Sequence, residues 1–138
     1  MLILDTDHLT EIDRSSAAGA RLMARLDTVG DDIATTVISA EEQLRGWLAQ
    51  INRTRDPRRQ IDAYARLQGR IAFFAEWTLL PWDTAAAEHF VAMRAQGIRI
   101  ATMDLKISCI ARTHTATRLS RNLADFAKVP ELHVENWL

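Results

Sequence analysis

Short apolar runs in this chain repeatedly end on an acidic or amide residue, and this punctuation constrains the fold more than any other feature. Asp5 closes Met1-Leu-Ile-Leu4, and Glu42 follows Thr36-Val-Ile-Ser-Ala-Glu41. Asp104 follows Ile100-Ala-Thr-Met103, and Asn122 follows Thr117-Arg-Leu-Ser-Arg121, with Asp125 one turn later. Runs of this kind read as buried strands or helix starts. In a parallel α/β sheet the C-terminal ends of the strands share one edge, so carboxylates remote in sequence meet there. Several carboxylates together cannot all stay ionised without a counter-charge, and a hard cation such as Mg²⁺ is their natural guest. The pattern points to a metal site suited to phosphodiester cleavage.

The elements between these points support such a sheet. Met1 to Leu4 reads as a central strand, and Ala17 to Leu26 as a helix with Leu22, Met23 and Leu26 at helical spacing, closed by Gly30. Ile33 to Ile38 is β-branched and apolar, a second strand. Leu44, Trp47, Leu48 and Ile51 form the stripe of an amphipathic helix that starts near Ser39. Asp56-Pro57 has the form of a cap and first position for a long helix through Tyr64, Leu67, Ile71 and Phe74. A short strand from Trp77 to Leu80 stops at Pro81, and a helix from Asp83 or Thr84 runs to Gln96 with Gly97 at its exit. Asp104 is a candidate cap for a helix with Ile107, Ile110 and Ala111 on one face. Thr117 to Ser120 is a weak strand by pattern, residues 122–128 a helical turn, and His133 to Trp137 an edge strand. The order β-α-β-α-α-β-α-α-β-(α)-β implies an α/β fold, a mostly parallel sheet covered by helices, in one domain spanning 1–138.

Composition narrows function mainly by exclusion. Seventeen basic against eighteen acidic residues give a formal charge of −1, so no global basic field marks a nucleic-acid binder. Attraction to phosphate must come from a bound cation or a local patch such as Arg53, Arg55, Arg58 and Arg59. Such a cluster is more often a solvated turn. Cys109 is the only cysteine, which excludes an internal disulfide and suits a reducing cytoplasm, and no run approaches the ~20 apolar residues of a membrane span. Cytoplasmic location is the expectation. His8, His89, His114 and His133 share no zinc-ligand spacing, and no glycine-rich loop fits a phosphate cradle.

Each acidic position also has a plain structural reading. Asp5 and Asp7 suit a strand end and a helix cap, and Asp5, nearest the strand, is the candidate ligand with Asp7 in support. Glu41 and Glu42 lie in a helix's first turn, where the macrodipole favours either, and pattern alone does not choose. Asp104, Asn122 and Asp125 are all credible caps; Asn122 would offer a neutral oxygen.

Four blocks in order resemble the PIN-domain ribonucleases, and in particular the VapC-type toxins of bacterial toxin–antitoxin pairs. They are Leu-Ile-Leu-Asp5-Thr-Asp-His-Leu9, Thr-Val-Ile-Ser-Ala-Glu-Glu42-Gln-Leu-Arg-Gly46, Ile-Ala-Thr-Met-Asp104-Leu-Lys-Ile-Ser-Cys-Ile-Ala111 and Leu119-Ser-Arg-Asn-Leu-Ala-Asp-Phe126. The resemblance implies a three-layer PIN-like fold and selects Glu42, four residues before Gly46. It implies that Asp5, Glu42, Asp104 and Asn122 form the site, with Asp5 and Asp104 as metal ligands and Asp7, Ser120 and Asp125 in support. Ser120 stands where Thr is usual. The activity implied is a Mg²⁺- or Mn²⁺-dependent endoribonuclease, homodimeric, acting on RNA and silenced by a cognate antitoxin in a heterotetramer or larger complex. Two rivals remain at this stage. An aspartyl-nucleophile phosphatase fits Asp5-Thr-Asp7 but needs a downstream lysine and a late acidic pair. A catalytically inactive PIN-like binding module would have lost an acidic position, of which Asn122 is the one hint.

Overall fold

Every residue of the first strand is buried, and its side chains divide between two cores, so helices must cover both faces of the sheet. In the computed structural model, which describes residues 1–138, β1 (Leu2–Leu4) turns Ile3 into one apolar cluster and Leu2 and Leu4 into another. The chain continues as α1 (Thr6–Asp13), α2 (Ala17–Val29), β2 (Ile33–Thr36), α3 (Val37–Asn52), α4 (Ile61–Ala75) and β3 (Leu79–Leu80). It then forms α5 (Thr84–Ala95), α6 (Thr102–Thr113), β4 (Thr117–Leu119), α7 (Leu123–Phe126) and β5 (His133–Glu135). The five strands pair in the order β3-β2-β1-β4-β5, every pair parallel. This is a three-layer α/β PIN-like fold.

Ile3 packs with Met93 of α5 and Leu105, Ile107 and Ile110 of α6 on one side of the sheet. Leu2 and Leu4 pack with Leu9, Leu22, Leu26 and Phe74 on the other. β4 lies between β1 and β5, in register through Ile3 with Arg118 and Leu4 with Leu119. Its alternation sends Leu119 into the second cluster and Arg118 towards α6.

Four local expectations change. Thr36, not Ser39, begins the third helix: its hydroxyl accepts the Ser39 N–H at 3.0 Å, which ends the strand two residues early. Asp56-Pro57 opens a turn rather than α4, because Asp56 Oδ1 accepts the Arg58 N–H at 3.0 Å and the Gln60 amide donates to Ile51 and Thr54 carbonyls. α4 starts at Ile61 with no side-chain cap. Asp104 is not the cap of α6; Ala101 is, and Asp104 sits in the first turn, where the helix dipole favours an anion. Finally, α1 is a helix that periodicity did not single out, since few apolar residues line its short span.

Candidate metal centre

Asp5 is the first residue beyond the central strand, and its N–H donates to the Leu119 carbonyl at 3.0 Å, which pins it to the sheet edge. Its carboxylate caps α1 by accepting the Thr6 N–H at 2.8 Å. Glu42 reaches the same place from the second turn of α3, where its Oε2 accepts the Thr6 hydroxyl at 3.0 Å. Asp104 arrives from the first turn of α6. Ser120 and Asn122 come from the link between β4 and α7, where Asn122 caps α7 and its N–H donates to Ser120 Oγ at 3.2 Å. All five line one open pocket of about 380 Å³ that has no hydrophobic residue in its wall. Four elements remote in sequence thus deliver their polar ends to one edge of the sheet.

Electrostatics at this edge is congested. Burial pushes the Glu42 carboxyl above its ordinary value, the Thr6 hydroxyl pulls against that, and the charges of Asp5 and Asp104 add to the rise. Burial likewise raises Asp104; Arg118 opposes the shift, while Asp5 and Asp125 reinforce it. Asp7, also in the pocket wall, behaves differently. Burial alone would raise it, but the His8 ring at 2.6 Å and the Arg121 N–H at 2.7 Å together hold it below the usual range. His8 is itself buried and accepts the Trp137 N–H on Nε2 at 3.3 Å, so its Nδ1 carries the proton given to Asp7. Asp125 lies outside the pocket wall; Lys128 and Asn122 lower it by hydrogen bonding, and it holds the Asn122 amide at 3.0 Å.

Arg118 is the residue that sequence reasoning passed over. It is fully buried in the middle of the sheet, and its Nη2 bonds Asp5 Oδ2 at 2.5 Å and Asp104 Oδ1 at 3.1 Å. A lone charge inside a central strand was the available signal, because burying a charge is tolerated only when it is paired. The rim arginines Arg14 and Arg121 were also missed. The Arg53, Arg55, Arg58 and Arg59 group is exposed on the segment between α3 and α4, outside the acidic pocket. Glu41, by contrast with Glu42, pairs with Arg45 on the surface of α3.

The donor set fits a hard divalent cation. No three carboxylates stand close enough to cage an ion unaided. Mg²⁺, however, keeps several waters and needs only one or two carboxylates. Asp104 Oδ2 and Glu42 Oε1 accept no hydrogen bond within the chain, which leaves an oxygen free on each of two carboxylates that burial disfavours as bare anions.

An all-parallel α/β sheet with an oxygen-lined pocket at its C-terminal edge has the PIN-like architecture that the sequence resemblance implied. Solved structures share it over nearly the whole chain. A chain of VapBC2 from Rickettsia felis, bound to a DNA fragment from the promoter, matches with a TM-score of 0.73 at 18% identity, covering 99% of this chain and 98% of that one. FitAcB from Neisseria gonorrhoeae matches with a TM-score of 0.68 at 25% identity and the same coverages, 99% and 98%. VapBC-5 from Mycobacterium tuberculosis, a member of the VapBC family of toxin–antitoxin systems, matches at 0.61 and 21% identity, covering 97% and 96%. No family model and no curated protein sequence matches the chain.

Proposed function

We propose that this protein is a metal-dependent endoribonuclease, the toxin of a toxin–antitoxin pair. The observation that carries this reading is the meeting of Asp5, Glu42 and Asp104, from three separate elements, in one wholly polar pocket. The fold shared with toxin–antitoxin complexes supports it. Asp5 and Asp104 would hold Mg²⁺ or Mn²⁺, with Glu42 facing them. Such an ion, when bound, neutralises phosphate charge and lowers the pKa of an attacking water.

The chain's own residues supply the rest. Thr6 orients Glu42 through its hydroxyl, and the His8–Asp7–Arg121 chain fixes the wall beside Asn122. Ser120 and Asn122 present neutral polar groups suited to ordering water or a leaving oxygen. Arg14 and Arg121 at the rim, the latter paired with Glu11 at 3.1 Å, offer positive charge to an incoming RNA phosphate, and Arg53, Arg55, Arg58 and Arg59 form a separate exposed basic stretch that RNA could also meet. A cognate antitoxin would block this opening, and a second copy of the chain would complete a homodimer.

The test combines three readouts on wild type, Asp5→Ala and Asp104→Asn: growth on induction without a partner, RNA cleavage, and Mn²⁺ affinity. Wild type should arrest growth and cleave RNA with Mg²⁺ but not with EDTA. Both variants should be harmless and inactive; Asp104→Asn should keep its fold, and Asp5→Ala, which strips buried Arg118 of a partner and α1 of its cap, should melt lower but is assayed at a temperature where it is folded. RNA cleavage undiminished by EDTA, or a toxic Asp5→Ala, would refute the reading.

A further inference from the structure

Behind the pocket wall, one buried positive charge of the chain itself contacts two of its carboxylates. The Arg118 guanidinium is wholly shielded from solvent, with the Phe126 ring centroid 3.6 Å from its central carbon. Nη1 donates to the Asp104 carbonyl at 3.0 Å and to Ser108 Oγ at 3.1 Å; Nη2 reaches both Asp5 and Asp104 carboxylates. Nε is buried without a partner. This geometry is not that of a residue serving the core. An apolar side chain would fill the space at less cost, as Ile3 does on the adjoining strand, because a buried ion pair seldom beats well-packed hydrophobic residues for stability. A guanidinium also cannot shed its proton when desolvated, so the charge is permanent.

We propose that Arg118 is the resident cation of this carboxylate cluster, a positioning residue that fixes Asp5 and Asp104 before any ion arrives and limits the cluster to one divalent ion. The inference rests on the nuclease reading for the site's purpose. A single nitrogen, Nη2, bridges Asp5 Oδ2 and Asp104 Oδ1, and so takes up one oxygen of each. Asp5 Oδ1 is used by the Thr6 N–H and Glu42 Oε2 by the Thr6 hydroxyl. Asp104 Oδ2 and Glu42 Oε1 alone keep both lone pairs for an ion, and Asp5 can reach it only through the second lone pair of an oxygen already in use, a donor set that suits one ion rather than two. Charge leads to the same count. Three carboxylates less one guanidinium leave two negative charges, which one divalent ion balances, and Asn122 adds none.

The experiment compares wild type with Arg118→Met, Arg118→Lys, Asp104→Asn and the double variant Arg118→Met/Asp104→Asn. Mn²⁺ stoichiometry is measured by titration calorimetry and electron paramagnetic resonance, and melting temperature with EDTA and with Mn²⁺. Wild type should bind one Mn²⁺ per chain. Arg118→Met should melt lower in EDTA, gain more from Mn²⁺ than wild type does, and bind a second ion. Arg118→Lys should restore single-ion binding. If Arg118→Met does not fold, the double variant decides: with one carboxylate charge removed along with the guanidinium, it should fold in EDTA where the single variant fails. Two Mn²⁺ per wild-type chain, or an Arg118→Met protein with unchanged stoichiometry and Mn²⁺ response, would overturn the proposal; so would a double variant that is also unfolded. A parallel RNA cleavage assay separates the two readings. One ion in wild type and two in Arg118→Met, without RNA cleavage, sinks the nuclease and leaves the resident cation standing.

Discussion

Glu41 and Glu42 are adjacent in sequence and differ in almost every physical respect. Glu41 is partly exposed and pairs with Arg45 one turn on, an arrangement worth about 0.3–0.5 kcal/mol. Glu42 is half-buried, faces two other carboxylates, and has its pKa raised chiefly by burial. A raised carboxyl favours the folded state when protonated. Its contribution is fully present below the ordinary glutamate value and is lost as pH rises through the raised one. Glu42→Gln should therefore melt higher than wild type in EDTA at neutral pH and lose that advantage as pH falls towards the ordinary carboxylate range, while RNA cleavage is abolished. Glu41→Gln should change neither measurement by more than a surface substitution does. The opposite ranking in melts taken across pH would show that the wrong glutamate was chosen. Sequence pattern left that choice open, and the resemblance made it through Gly46; a Cβ there would meet nothing within 4 Å, so no steric demand for glycine advertises the site. Arg118 was illegible for a different reason. Thr117 to Ser120 is a weak strand by pattern, and the partners that explain its charge, Asp5 and Asp104, lie 113 and 14 residues away.

Helices and strands were legible where periodicity is long and obscure where side-chain capping decides the boundary. The stripe of α3 was plain, but its start belongs to the Thr36 hydroxyl, and the start of α4 to the turn that Asp56 and Gln60 hold. α1 is short and carries the charged pocket face, so it shows little apolar pattern. Its position is nevertheless fixed tightly from behind. Ser16 caps α2 by accepting the Gly19 N–H at 2.9 Å and also donates to Glu11, and a Cβ on Gly19 would lie 2.2 Å from the Glu11 carbonyl oxygen. That neighbour is backbone and cannot swing aside. Gly19→Ala should force α1 and α2 apart and destabilise the protein by about 1–3 kcal/mol, as overpacking does. Because α1 carries Thr6, Asp7 and Glu11 into the pocket, RNA cleavage should fall as well, even at temperatures where the variant is folded. Denaturant melts together with a cleavage assay check this; a wild-type melt would mean the helices have slack that the close approach denies.

At the scale of the whole molecule, the parallel sense of the sheet was legible because a recognisable helical stretch separates each pair of successive strands, even with α1 unread, and no helix is long and apolar enough to cross a membrane. What a single chain leaves uncovered is more informative. Val37, Leu48, Ile71 and Leu79 are exposed around an apolar groove of about 660 Å³ between α3 and α4. A second apolar hollow on α4, lined by Ile61, Tyr64 and Leu67, adjoins the groove through Ile71. A contiguous face of this kind on a small domain marks an interface. Its rim carries Glu41 and Arg45, one charge of each sign, which suits a two-fold contact in which the patch meets its own copy. The free chain should therefore be a dimer in light scattering, and Leu48→Glu or Ile71→Glu should make it a monomer. Neither side chain lines the acidic pocket, so beyond the stability linked to the lost dimer, folding stability should move by only about 0.5 kcal/mol, as at ordinary surface sites. A wild-type chain that remains monomeric at tens of micromolar (a Kd of about 1 µM corresponds to roughly 8 kcal/mol of association) excludes the second copy as occupant of this face.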